Sequence, residues 1–171
     1  PLIGVVLGVK PMTIYHYIPN KEAIIDGMVD RVFGEINLPQ LEINWKLAMQ
    51  QRSASARAVL VKHSWAVPLM ESRRTPETAK LRQHDATISC LRKGGLSVEM
   101  NTHAYTVIDA FVYGFAIQEA SLPAKSGLEM KELAESILET TSMANYPHLM
   151  ELTTRHVPQP DYDFSCEFDF G

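Results

Sequence analysis

Between residues 2 and 155 the apolar residues return every three or four positions, and no run before the tail alternates with the period of two that a strand requires. A chain patterned this way buries its apolar groups by packing helix on helix. Local punctuation marks where the helices start and stop. Residues 2–7 read as the end of a helix that Gly8 terminates. Residues 11–18 form a short second helix, which Pro19 interrupts. Asn20 is placed to cap a third helix reaching about Ile36, because its side-chain oxygen can accept from an orphan amide of the first turn. Residues 37–43, with Pro39, read as a linker.

Beyond the linker the helices lengthen. Residues 44–62 are amphipathic, with Trp45, Leu47, Ala48, Ala56, Val59 and Leu60 available for burial. Residues 63–70 form a short segment containing Pro68. Thr75 followed by Pro76 starts a helix that runs to about Lys93, and Gly94-Gly95 ends it where a left-handed residue is wanted. Ser97 caps the next helix, 98–121. Val107, Ile108, Phe111, Val112, Phe115 and Ile117 cover more than one of its faces, which predicts a central or interfacial position. Further helices are expected over 129–141 and 147–155. The tail from Val157 is rich in proline, acids and aromatics. "FSCEFDF" alternates without an evident partner and reads as irregular.

The charge balance narrows the function classes. The net charge is −4, and residues 157–171 alone carry four acids, Asp161, Asp163, Glu167 and Asp169, and no base. The rest of the chain is therefore neutral, and its first 21 residues hold Lys10 and Lys21 with no acid. The amino end is locally basic. The longest apolar run, 110–117, is eight residues, far short of the ~20 that span a bilayer. No charged leader with a cleavage site is visible, so a cytoplasmic protein without membrane attachment is expected. Cys90 and Cys166 match no metal or redox spacing and read as free thiols. No motif calls for a cofactor or a metal.

Against that background the stretch "GVKPMTIYHYIPNKEAI" (residues 8–24) is crowded with rings and hydrogen-bonding groups. A helix, a glycine turn and a second short helix make the helix-turn-helix pattern, whose second helix enters the major groove of DNA. Thr13, Tyr15, His16 and Tyr17 carry donors and acceptors suited to phosphates and base edges, and Pro11 and Met12 offer apolar contact for thymine methyls. Ile14 and Ile18 face back onto the domain. Lys21 opens the following helix, where its charge and the free amides can meet a phosphate.

"LGVKPMTIYHYIPNKEAIIDGMV" resembles the DNA-binding motif of the tetracycline-repressor (TetR) family of bacterial regulators, with Leu7, Gly8, Val9, Thr13, Tyr15, Tyr17, Asn20, Lys21, Glu22 and Ala23 at matching positions. The resemblance implies that Thr13, Tyr15 and Lys21 contact the phosphate backbone. It implies that Pro11, Met12, His16 and Tyr17 lie near bases or backbone. "NWKLAMQQRSASARAVLVKHSWAVPLM" and "GFAIQEASLP" are similar to the tetracycline-repressor-type C-terminal branch. Two departures stand out. By the resemblance a further helix is expected ahead of Leu2, and a final dimerisation helix is expected after the tail. Lys10 also replaces the usual Ser or Thr of the recognition-helix cap. Lysine cannot accept a hydrogen bond, and losing a cap costs ~1 kcal/mol; Lys10 is left to reach a phosphate.

A regulator of this kind needs a cavity lined by apolar, aromatic and a few polar groups. The candidates are Trp65, Met70, His84, Ile88, Cys90, His103, Tyr105, Asp109 and Tyr113. Asp109 is the most informative, since a carboxylate within an apolar helix requires a partner. The aromatic and acidic mixture mildly favours a flat or cationic organic effector. The order His63, His84-Asp85, Asp109 also resembles the metal-ligand order of HD-type phosphohydrolases, although its spacings are loose; a helical protein-interaction adaptor is the third alternative.

The expectation is an all-α, non-enzymatic transcriptional repressor. Residues 1–34 are a partial helix-turn-helix DNA-binding domain, and 35–171 a larger helical-bundle domain for effector binding and dimerisation. The expected partners are a palindromic double-stranded DNA operator, a small-molecule effector and a second copy of the chain.

Overall fold

The computed structural model describes residues 6, 8–70, 72, 78–124, 126–140, 142–143, 145–157 and 164–170, with the backbone alone at 11, 166, 169 and 170. The fold is all-helical, and no strand occurs among the described residues. The helices are α1 (Pro11–Tyr17), α2 (Lys21–Glu35), α3 (Trp45–Lys62), α4 (Val67–Met70), α5 (Thr78–Lys93), α6 (Val98–Ser121), α7 (Gly127–Thr140) and α8 (Pro147–Arg155). A 3-10 turn at Ser64–Ala66 precedes α4, and a second covers Phe164–Phe170. None of the described helices is long and apolar enough to cross a membrane. The chain divides into two compact units, Pro1–Tyr113 and Gly114–Gly171, with the division inside α6. The expected helix over 2–7 and its Thr75-Pro76 counterpart lie outside the described residues, apart from Val6, which is helical.

In the first unit, α2 packs on α5 and α3, and α3 on α5. Val29, Val32, Phe33 and Ile36 recur at helical spacing along α2 and its end, and all four are buried. On α3 the buried line is Ala48, Arg52, Ala56 and Leu60, one residue per turn. The small alanines let the neighbouring helices approach closely.

Local capping follows the sequence wherever donor and acceptor are near one another. Asn20 Oδ1 accepts from the Ala23 amide at 2.9 Å, and Ser97 Oγ accepts from the Met100 amide at 3.1 Å. Helix α5 closes with the Leu96 amide donating to Leu91 O at 3.3 Å and the Gly95 amide to Arg92 O at 3.0 Å. Gly95 adopts φ +92°, the left-handed residue that this closure uses. Its neighbour Gly94 is required for a different reason. A Cβ there would lie 2.5 Å from the Trp45 ring, so α3 and the end of α5 meet only because position 94 has no side chain.

The tie between α2 and α5 is long-range. Asp30 Oδ1 accepts from the amides of Ala79 (2.8 Å) and Lys80 (3.2 Å), so a carboxylate on α2 caps the first turn of α5. At the other end of the contact, Gln83 Nε2 donates to Ile36 O at 2.5 Å and to Phe33 O at 3.4 Å, satisfying the last carbonyls of α2. The substitution Asp30→Ala leaves two amides without an acceptor. It should lower unfolding stability by about 1–2 kcal/mol in urea titrations, with Asp30→Asn losing less.

In the second unit α7 packs on α8. Helix α7 begins at Gly127, two residues before the expected start, because Ser126 Oγ accepts from the Glu129 amide at 3.2 Å. The tail differs from the irregular segment the sequence predicts. Phe164–Phe170 forms a 3-10 turn. The cause is a partner far back in the sequence: the Phe115 ring stacks on Phe164 (centroids 4.9 Å) and meets Phe168 edge-on at 5.1 Å. Glu167, between them, lies 2.7 Å from His156 Nε2.

Candidate nucleic-acid interface and effector site

Gly8, at φ +65°, turns the chain in the left-handed region just before α1. The cap residue Lys10 makes no side-chain cap bond; only its carbonyl serves, accepting from the Thr13 amide at 2.9 Å. Along α1 the residues sort by face. Ile14 and Ile18 are half-buried, whereas Met12, Thr13, Tyr15, His16 and Tyr17 are exposed, Met12 and Tyr17 to about four-fifths. The His16 and Tyr17 rings meet edge-on at 5.4 Å. The side chain of Pro11 lies outside the described residues. Lys10 and Lys21, both exposed, flank this ring cluster. The segment thus presents two cations, several hydroxyl and ring donors and an apolar side chain to solvent, held by two isoleucines and the Asn20 cap.

The residues expected to line a cavity fall into several places. His84 and Tyr105 lie ring against ring at 4.1 Å, joining α5 to α6. One turn along, Asp109 is buried and pairs with Arg52 of α3, whose Nη1 donates to Asp109 Oδ1 at 3.3 Å. One turn the other way, Asn101 Nδ2 donates to Ile88 O at 3.0 Å. Asn101, Tyr105 and Asp109 therefore form a polar stripe on one face of α6, spaced four apart. Cys90 is buried beside this stripe, and burial raises its thiol pKa. It also lines a cleft of about 360 Å³ with Leu41, Ile43, Trp45, Lys93 and Gly94. Met70 is buried at the end of α4, and Tyr113 is half-buried. Trp65, Ile88 and His103 are exposed, with Trp65 edge-on to His63 at 6.2 Å.

Sequence reasoning missed Arg52, the partner Asp109 requires. It lies among Ala and Ser on α3, 57 positions away, and the only available signal was a cation on the otherwise small, buried line of that helix. The HD-type set is not brought together. His63 Nε2 lies 3.0 Å from Glu35, which also accepts from Lys62 at 2.9 Å; these two contacts hold the Glu35 carboxyl below its ordinary range, Lys62 most. His84 meets Tyr105 and Asp109 meets Arg52. Among the described residues no group of three or more His, Cys, Asp or Glu could hold a metal.

The described structure thus combines packed helices with a short exposed helix rich in rings and flanked by two lysines. Residues 38–171 match the model of the tetracyclin repressor-like C-terminal domain, and the chain belongs to that family. It is 24% identical over 174 residues to the HTH-type transcriptional repressor DrrR1 of Streptomyces coeruleorubidus, covering 96% of this chain and 63% of that protein. Among solved structures, the Streptomyces coelicolor TetR family protein ActR resembles it. The ActR complex with actinorhodin aligns at TM-score 0.76 and 20% identity over 98% of this chain and 79% of ActR. Apo ActR aligns at 0.77 and 21% identity over 98% and 78%. At these identities the structural matches establish the fold.

Proposed function

We propose that this chain belongs to a cytoplasmic, ligand-responsive repressor that binds a near-palindromic operator as a homodimer and leaves it when a small organic molecule binds. Residues 1–34 read DNA, and 35–171 take the effector and the second subunit. The observation that carries the reading is the exposed set Met12, Thr13, Tyr15, His16 and Tyr17 between Lys10 and Lys21, on a chain whose residues 38–171 match the tetracyclin repressor-like C-terminal domain. Two recognition helices in successive major grooves lie about 34–36 Å apart. Helix α6 leaves Met100, Val107 and Ile117 exposed in the single chain, which supports its use between subunits.

The effector site we favour is the region between α3, α5 and α6, where His84, Tyr105 and Asp109 bring aromatic and polar groups together. ActR's crystallised complex with actinorhodin supports an organic ligand in this fold. The His84–Tyr105 stack favours a flat ring system, by aromatic contact. A hundredfold release from DNA requires the effector to bind the DNA-free conformation about 2.7 kcal/mol more tightly than the DNA-bound one.

Lys21→Ala in the full-length protein should reduce the slope of log K against log salt by about 0.9, the release of roughly one counterion. Tyr15→Phe should weaken binding without changing that slope. Fluorescence-anisotropy titrations over a salt series read both; identical slopes for wild type and Lys21→Ala would remove Lys21 from the interface.

A further inference from the structure

A second cleft, separate from the His84–Tyr105 stack, opens where the linker after α2 passes over α3. It measures about 330 Å³ and is lined by Asn37, Leu38, Gln40, Ala48, Gln51 and Arg52. Ala48, Gln51 and Arg52 are spaced three and four apart, so they share one face of α3. The linker wall is pinned there, because the Asn37 amide donates to Ser55 Oγ at 3.0 Å. Among the described residues that line this cleft Arg52 alone is charged, and its side chain is 3% exposed.

The guanidinium is incompletely satisfied. Asp109 meets it through Nη1 alone, at 3.3 Å, longer than the ~2.8 Å of a tight charge-assisted bond. On the other side of the planar fork, Nε is buried and has no hydrogen-bond partner. A buried N–H without an acceptor costs about 1–3 kcal/mol, and a carboxylate is the group whose two oxygens match the fork.

We propose that this cleft is a binding site for a small organic carboxylate, whose acid group docks on the Nε side of Arg52 while Asp109 keeps Nη1. The side-chain amides of Asn37 and Gln40 supply further donors, and Leu38 and Ala48 give the ligand's apolar part a surface. The guanidinium then lies between two carboxylates, one from α6 and one from the ligand, so occupancy is felt by Asp109 on α6. The site is independent of whether α1 reads DNA.

The test is isothermal titration of the full chain with benzoate and, separately, with its neutral isostere benzamide. Benzoate should bind saturably and at least tenfold more tightly than benzamide. Gln51→Glu changes an exposed residue and places a like charge in the cleft without touching the Arg52–Asp109 pair. It should weaken benzoate at least tenfold and leave benzamide unchanged, with the circular dichroism spectrum of wild type. Equal affinity for the two probes, no saturable benzoate binding, or benzoate binding unaffected by Gln51→Glu would each overturn the assignment.

Discussion

Replacing Arg52 with methionine should destabilise the protein by about 3–5 kcal/mol, the largest loss expected from any single substitution in the first unit. The cation itself is costly to bury, so its removal alone is not the source of the loss. The source is Asp109, left in a buried position with no cation to meet its charge. Restoring an apolar surface on both sides should therefore reverse most of the effect. The double variant Arg52→Met/Asp109→Leu is expected to recover to within about 1–2 kcal/mol of wild type. Urea unfolding of the four members of the cycle checks this. Additive losses would mean that the two groups are not coupled, contrary to the 3.3 Å contact.

Phe115→Ala should cost a similar amount, about 3–5 kcal/mol, within the second unit. Phe115 is 7% exposed and its ring is shared by Phe164 and Phe168. Truncation removes two aromatic contacts, each worth about 0.5–1.5 kcal/mol beyond area burial, and leaves a cavity. The effect should be local in its second readout. Amide hydrogen exchange across 164–170 should accelerate, because the 3-10 turn has lost the ring that holds it. Unchanged exchange there would show that the turn is held by something else, such as the His156–Glu167 contact.

These two sites also show which parts of the fold can be seen in the sequence. Asn20, Ser97 and Gly95 were legible because each acts within a few residues of itself, through a cap or a left-handed turn, whereas the need for Gly94 lies in the distant Trp45 ring. The faces of α1 were legible too, since Ile14 and Ile18 lie one turn apart among polar rings. Asp30 was not, because the amides it caps are 49 and 50 positions away. The tail was read as irregular for the same reason: its ordering partner, Phe115, lies on α6. Asp109 was legible as a carboxylate in need of a partner, but only packing shows that Arg52 supplies it. In an all-helical chain the periodicity of apolar residues fixes each helix's inner face, while polar ties between helices depend on which faces meet.

The central claim is that residues 10–21 read DNA, and selection from a random pool of double-stranded DNA with the full-length protein tests it most directly. The account predicts enrichment of one near-palindrome whose half-sites lie about one helical turn apart, with enrichment lost in a Thr13→Ala/Tyr15→Ala/Lys21→Ala variant that keeps the wild-type helical spectrum. A pool that stays random after repeated rounds, or a motif that the triple variant still selects, would contradict it.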